Sequence, residues 1–295
     1  QGVYIFSNNE RYVGQLVNGK KNGRGEFFYN NGNIFRGNWV NDDKNGLGEI
    51  EYSNGDYAKG TFEAGLFSGQ IRFVYFNGSV FEGLYRFGKR NGFGRLENEN
   101  GTIFEGEWLN DKVHGNGKLI LPNDDAYEGN FESGYKNGQG KYIYSNGEIY
   151  QGNWKNDERN GLGSMNYKNG DRYTGEWRDG QRHGQGIYKS LAGDEYQGNF
   201  SNGKRHGDGQ IIFTDGSGYS GEWNNGEISQ YGIYQYKNGD IYEGRFLMGK
   251  KEGPGRYIFK DGDIIEGDFE NDIFKSGKLK KMDGFELEIL QQGAK

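Results

Sequence analysis

Residues 173–195 read YTGEWRDGQRHGQGIYKSLAGDE, and the pattern inside this stretch decides the fold. Tyr173, Gly175 and Trp177 alternate with Thr174, Glu176 and Arg178. Strand side chains point to opposite faces in turn, so one face reads ring, glycine, ring and the other is polar. Gly186 opens a second run, with Tyr188 two places on and therefore on the same face. The stretch predicts two short antiparallel strands, each with one apolar side.

Working outward, the unit recurs without a slip. Glycines in the place of Gly175 fall at Gly14, Gly37, Gly60, Gly83, Gly106, Gly129, Gly152, Gly198, Gly221, Gly244 and Gly267, always 23 residues apart. With the residue two before each glycine as offset zero, that column is aromatic except at Ala58 and Ile265. Offset four holds Trp39, Trp108, Trp154, Trp177 and Trp223, with Phe or Tyr at most other units. The second run begins at Gly25, Gly48, Gly94 and their equivalents, with rings or aliphatics two and four places later, as at Phe27 and Tyr29. Asn-Gly pairs close many units, as at Asn31-Gly32 and Asn146-Gly147, and predict type I′ hairpin turns. A ring lies flat where its neighbour has no side chain, which gives the strand glycines a packing reason.

A chain built this way is a stack of one element. The expected fold is all-β: one extended, twisted antiparallel sheet of stacked hairpins, about 24 strands from twelve units, roughly 115 Å long if straight. Residues 1–11 fit the second half of a preceding unit, the array occupies 12–283, and 284–295 form a cap or tail. Either a longer protein has been trimmed or a half-repeat serves as a cap.

Composition agrees with a β repeat. Among 295 residues there are 55 Gly but 2 Pro, which excludes collagen, and 16% of residues are aromatic, unlike Gly-rich disorder. With no Cys, disulfides and thiolate metal sites are excluded. No apolar run approaches the ~20 residues of a membrane-crossing helix. A net charge of −6 argues against nucleic acid as a partner.

Motifs of catalysis and metal binding find no support. His114, His183 and His206 share one column that holds Asn at Asn22, Asn45, Asn91, Asn137 and Asn160, and read as turn residues. Asn41–Gly46 imitates a calcium loop, but Tyr52 stands where the ligating Glu belongs. The reading is therefore no enzyme, no catalytic residues, no cofactor and no metal.

The motifs Y-x-G-x-W, G-x-x-x-G-x-G and N-G, clearest at Tyr150–Trp154 with Asn160–Gly163 and at Tyr173–Trp177 with His183–Gly186, resemble the MORN repeat family. The resemblance covers residues 12 to about 285. It implies an extended sheet of hairpins with a concave aromatic groove that binds protein partners, and self-association, such as a homodimer, through an end. Relatives include radial spoke head components and cytoskeletal scaffolds, which implies a cytoplasmic location at cytoskeleton or cilium. The groove residues are then Trp39, Trp108, Trp154, Trp177, Trp223, Tyr150, Tyr173 and Tyr196, with helical protein segments laid along them.

Two departures single out docking loops. The unit at Ala58 lacks its ring, has Ile71 in place of a glycine and carries Leu66 and Phe67 where others carry Lys or Arg. The unit at Tyr219 carries Ile228 and Gln230. Near the end, Ser276 and Lys278 replace two glycines. Offsets eight and nine hold 13 basic residues in 24 positions against three acids, as at Lys89, Arg90, Lys204, Arg205, Lys250 and Lys251, and predict a basic loop rim. That rim gives an alternative reading, a module tethered to anionic membranes. A further alternative is the regulatory segment of a larger enzyme.

Overall fold

The computed structural model describes residues 2–290; Gln1 and the end of the expected tail, 291–295, lie outside the described residues. Twenty-six strands and no helix occur among the described residues. They fall into two compact units, Gln1–Ser145 with Lys155–Asp157, and Asn146–Trp154 with Glu158–Lys295.

In the first unit every strand from Gly2–Ile5 to Tyr135–Ile143 pairs antiparallel with its sequence neighbours. Among the described residues Gly2–Ile5 pairs with one strand alone, placing Gly2 opposite Gly14 and Tyr4 opposite Tyr12. In the second unit the same meander runs from Glu158–Asn166 to the closing strand Glu286–Leu290.

Each repeat contributes a seven-residue strand and, except for the eight-residue Ile273–Lys280, a nine-residue strand, as in Arg172–Arg178 and Gln181–Lys189. The second strand therefore begins at offset eight, five residues before the expected glycine. A β-bulge accommodates the extra length: Gly175 faces Gly186, but Trp177 faces Arg182. The bulge glycine, Gly184, has φ +57°. The three histidines sit in these bulged strands and not in turns.

The tight turns lie elsewhere than expected. Both positive-φ residues of a two-residue hairpin occur at offsets six and seven, for example Asn41 (φ 49°) with Asp42 (φ 79°) and Asn156 (φ 48°) with Asp157 (φ 70°). At the unit ends a single residue is left-handed, glycine in most and Asn9 or Asp124 in two: Gly32 (φ 87°) donates to the Tyr29 carbonyl, and Tyr29 donates to Asn33. This is the longer loop in which a turn is followed by one left-handed glycine. Asn31 uses its carboxamide oxygen to accept the Asn33 N–H, so its side chain holds the turn without a positive φ.

Glycine and ring work as one packing device. A Cβ on Gly163 would come within 2.6 Å of Cζ of Tyr150, because that ring lies flat on the paired backbones. The tyrosines so placed are buried, with Tyr12, Tyr150, Tyr173 and Tyr242 at 0% exposure. The bulge supplies a partner for each hydroxyl. Tyr12, Tyr127, Tyr150, Tyr173, Tyr196, Tyr219 and Tyr242 each donate to the carbonyl three residues on, as Tyr150 does to Asn153 at 2.9 Å.

The unit at Ala58 solves the same problem in reverse. Ala58 and Ile71 are both fully buried, and Ile71 occupies the space where other units lay a ring. Near the end, Gly277 takes the place opposite Gly267, so the glycine pair survives one position earlier than the 23-residue count predicts.

Candidate partner-binding face

The ring face has two layers. The deep layer alternates offset-zero and offset-four rings edge to face. Tyr150 meets Trp154 and Trp177, Tyr173 meets Trp177 and Phe200, and Tyr196 meets Phe200 and Trp223, with centroids 5.1–5.2 Å apart and planes near perpendicular. This is the favourable aromatic arrangement. The indoles also tie neighbouring repeats: Trp39, Trp108, Trp177 and Trp223 donate Nε1–H to the carbonyls of Gly25, Gly94, Gly163 and Gly209.

The residues expected to line the groove are these deep rings. Trp39, Trp108, Trp154, Trp177 and Trp223 are only 3–5% exposed, and Tyr150, Tyr173 and Tyr196 are equally buried. They pack against one another beneath a second layer of rings. Tyr188 of that layer lies within a second strand, and the other rings each lie one residue past the end of one. Tyr29, Tyr52, Tyr75, Tyr167, Tyr188, Phe213 and Tyr236 are half-buried. The period-two reading of the second run held this information.

The expected basic rim divides in two, because offsets eight and nine are consecutive strand positions and face opposite ways. Lys89, Lys204 and Lys250 are exposed. Arg90, Arg205 and Lys251 turn onto the ring face, where Arg90 lies 4.2 Å from the Trp108 ring and Arg205 lies 4.1 Å from the Trp223 ring. Lys44 sits among Tyr29, Phe35 and Phe62 at 5.5–5.8 Å. Cations over ring faces gain from the quadrupole, most when desolvated. Burial holds Lys44, Lys136 and Arg205 below their ordinary pKa values.

The docking-loop residues follow the same geometry. Leu66 is exposed at offset eight. Phe67 occupies the cation position and packs on Phe62 at 4.7 Å and Tyr85 at 5.4 Å. Ile228, opposite Trp223, is likewise half-buried on the ring face. Gln230 holds the bulge position with φ 58°, where other repeats have glycine.

One recurring element escaped the sequence reading. Asp125, Asp171 and Asp240 each accept a tyrosine hydroxyl, from Tyr142, Tyr188 and Tyr257, and a backbone N–H of the next loop, from Ser145, Leu191 and Lys260. Asp125 is held below the usual carboxylate range chiefly by the Ser145 N–H, while Asp171 and Asp240 are held there chiefly by their tyrosines. The available signal was an Asp two places before offset zero together with a Tyr at offset fifteen.

A family model described as MORN repeat matches ten segments: 12–34, 35–57, 81–103, 104–126, 127–149, 150–172, 173–194, 196–218, 219–241 and 242–264. The chain belongs to the MORN repeat family. The unmatched stretches include the two units whose offset-zero residue is not aromatic, those of Ala58 and Ile265. No curated protein matches the chain. Among solved structures, the wild-type TCP10 domain of Danio rerio CPAP in complex with a peptide of Danio rerio STIL is 11% identical. That match covers 88% of this chain and 99% of the other, at a TM-score of 0.38. The SAS-4 (dCPAP) TCP domain of Drosophila melanogaster, in complex with a proline-rich motif of Ana2, is 16% identical. Its match covers 59% and 93%, at a TM-score of 0.35. Scores this low carry no weight for function.

Proposed function

We propose that this MORN-repeat chain is a non-enzymatic scaffold that binds protein segments across its ring face, within a cytoplasmic cytoskeletal or ciliary assembly. The observation that carries the reading is the upper layer: half-buried rings beside cations that are already desolvated. Rings offer broad apolar contact at low conformational cost, and the deep Trp and Tyr columns keep that surface rigid. The cytoskeletal setting is supported by family membership and by the resemblance of the repeat motif to that of spoke head components.

We favour protein over membrane as the partner, because half of the expected rim is turned onto the rings. Affinity purification of the native chain from ciliated cells, run beside flotation with phosphatidylserine vesicles at low and moderate salt, tests the proposal. We expect cytoskeletal proteins in the eluate and no flotation at moderate salt. Flotation at moderate salt, with membrane proteins dominating the eluate, would overturn it.

A further inference from the structure

Three consecutive repeats of the second unit carry arginine at offset nine: Arg159, Arg182 and Arg205. Each is fixed in the same way. One guanidinium nitrogen donates to the carbonyl of the next repeat's turn glycine, from Arg159 to Gly180 at 2.6 Å, Arg182 to Gly203 at 2.6 Å and Arg205 to Gly226 at 3.0 Å. Each also lies over a ring, Trp177 at 4.4 Å, Tyr188 at 5.2 Å and Trp223 at 4.1 Å respectively. A guanidinium has five N–H donors, so spare donors remain on all three. Among the described residues none of the three forms an ion pair, whereas the equivalent Arg90 pairs with Asp111.

A hollow of about 450 Å³ lies at this ladder, lined by Arg182, Tyr188, Asp194, Phe200, Arg205 and Phe213 among others. Its acid groups are engaged: Asp194 accepts the Thr214 N–H, and the neighbouring Asp171 accepts Tyr188 and Leu191. The run of cations ends at Ile228.

The spacing selects what fits. Successive repeats are two strands apart, about 9.6 Å. A helix returns a residue to nearly the same face every seven positions, a rise of about 10.5 Å. An extended segment has no match, since its same-face residues recur at about 6.7 and 13 Å. We propose that Arg159, Arg182 and Arg205 read a helical partner segment carrying a carboxylate at every seventh residue. This rests on the ring face being a protein-binding surface, as proposed above, and names the chemistry of its partner. Fixed guanidinium forks suit carboxylates, and their rings leave apolar surface for the rest of the helix.

The test is selection of a displayed library of helix-forming 21-residue peptides, with Glu, Gln, Lys and Leu varied, against the full native chain. We expect enriched peptides with Glu at i, i+7 and i+14, binding the R159Q/R182Q/R205Q chain at least about 10-fold more weakly. The corresponding triple Arg→Lys chain keeps the charges and is expected to retain part of the affinity. Circular dichroism melting confirms that both variants fold. Enriched peptides that lack this acid spacing and bind all three chains equally would overturn the ladder while leaving the ring-face reading intact. If no peptide is enriched, both readings fail. Binding of phosphatidylserine vesicles that depends on the three arginines would reassign them to phosphate and overturn the proposal.

Discussion

At the residue scale, the offset-zero tyrosine combines two jobs. Its ring covers the glycine pair, and its hydroxyl satisfies a carbonyl beside the bulge, as in Tyr150 with Asn153. Phe35, Phe81 and Phe104 perform the first job alone. Tyr150→Phe should therefore fold and cost about 1 kcal/mol, read from denaturant midpoints at unchanged slope. Gly163→Ala should cost about 1–3 kcal/mol or more, because the new methyl meets the Tyr150 ring directly.

The same burial makes the phenols reluctant to ionise. Desolvation pushes Tyr196 and Tyr242 up to about 12. A folded pKa above the unfolded value of about 10 favours the neutral phenol in the native state. That contribution is complete below pH ~10 and is lost as pH rises through ~12. We expect alkaline unfolding and tyrosinate absorbance to rise together above pH ~11. Titration of most tyrosines near pH 10 with native circular dichroism retained would contradict this.

At the scale of the strand pair, the repeat tolerates one exchange of shapes, visible where Ala58 faces a strand bearing Ile71. Ring-on-glycine and alanine-beside-isoleucine fill the same volume. Ile71→Gly alone should leave a cavity and cost about 3–5 kcal/mol. Ala58→Tyr alone should clash with Ile71. The double change Ala58→Tyr with Ile71→Gly should recover most of the loss, giving a coupling energy well above 1 kcal/mol in a double-mutant cycle. Additive losses would show that the two positions do not share a site.

This scale also shows what was legible in the sequence. The ring-glycine-ring alternation at Tyr173–Trp177 named the strand, its buried face and the family, because period two leaves no other assignment. Three things were hidden. The start of the second strand at Gln181 carries no period-two signal, since Arg182-His183-Gly184 breaks the alternation that the bulge restores. Asn31-Gly32 has the composition of a type I′ turn, but its geometry depends on how many residues separate the paired strands. The depth of each ring column follows from which residue lies on the glycines, and composition alone does not rank Trp177 against Tyr167.

On the scale of the whole molecule, the repeat makes function a matter of layers. The buried columns set the stack, and the surface we propose for partners consists of the rings at the second-strand ends and the inward half of the basic pairs. The outward half, Lys89, Lys204 and Lys250, is exposed. Two panels of variants separate these surfaces. One carries Tyr167→Glu with Tyr236→Glu, both half-buried on the ring face. The other carries Lys89→Glu, Lys204→Glu and Lys250→Glu, all exposed. Quantitative affinity purification of native and variant chains, each first shown to melt like the native chain, is the most direct measurement. The account predicts that the tyrosine panel loses the co-purifying proteins and the lysine panel keeps them. Loss by the lysine panel with retention by the tyrosine panel would contradict it.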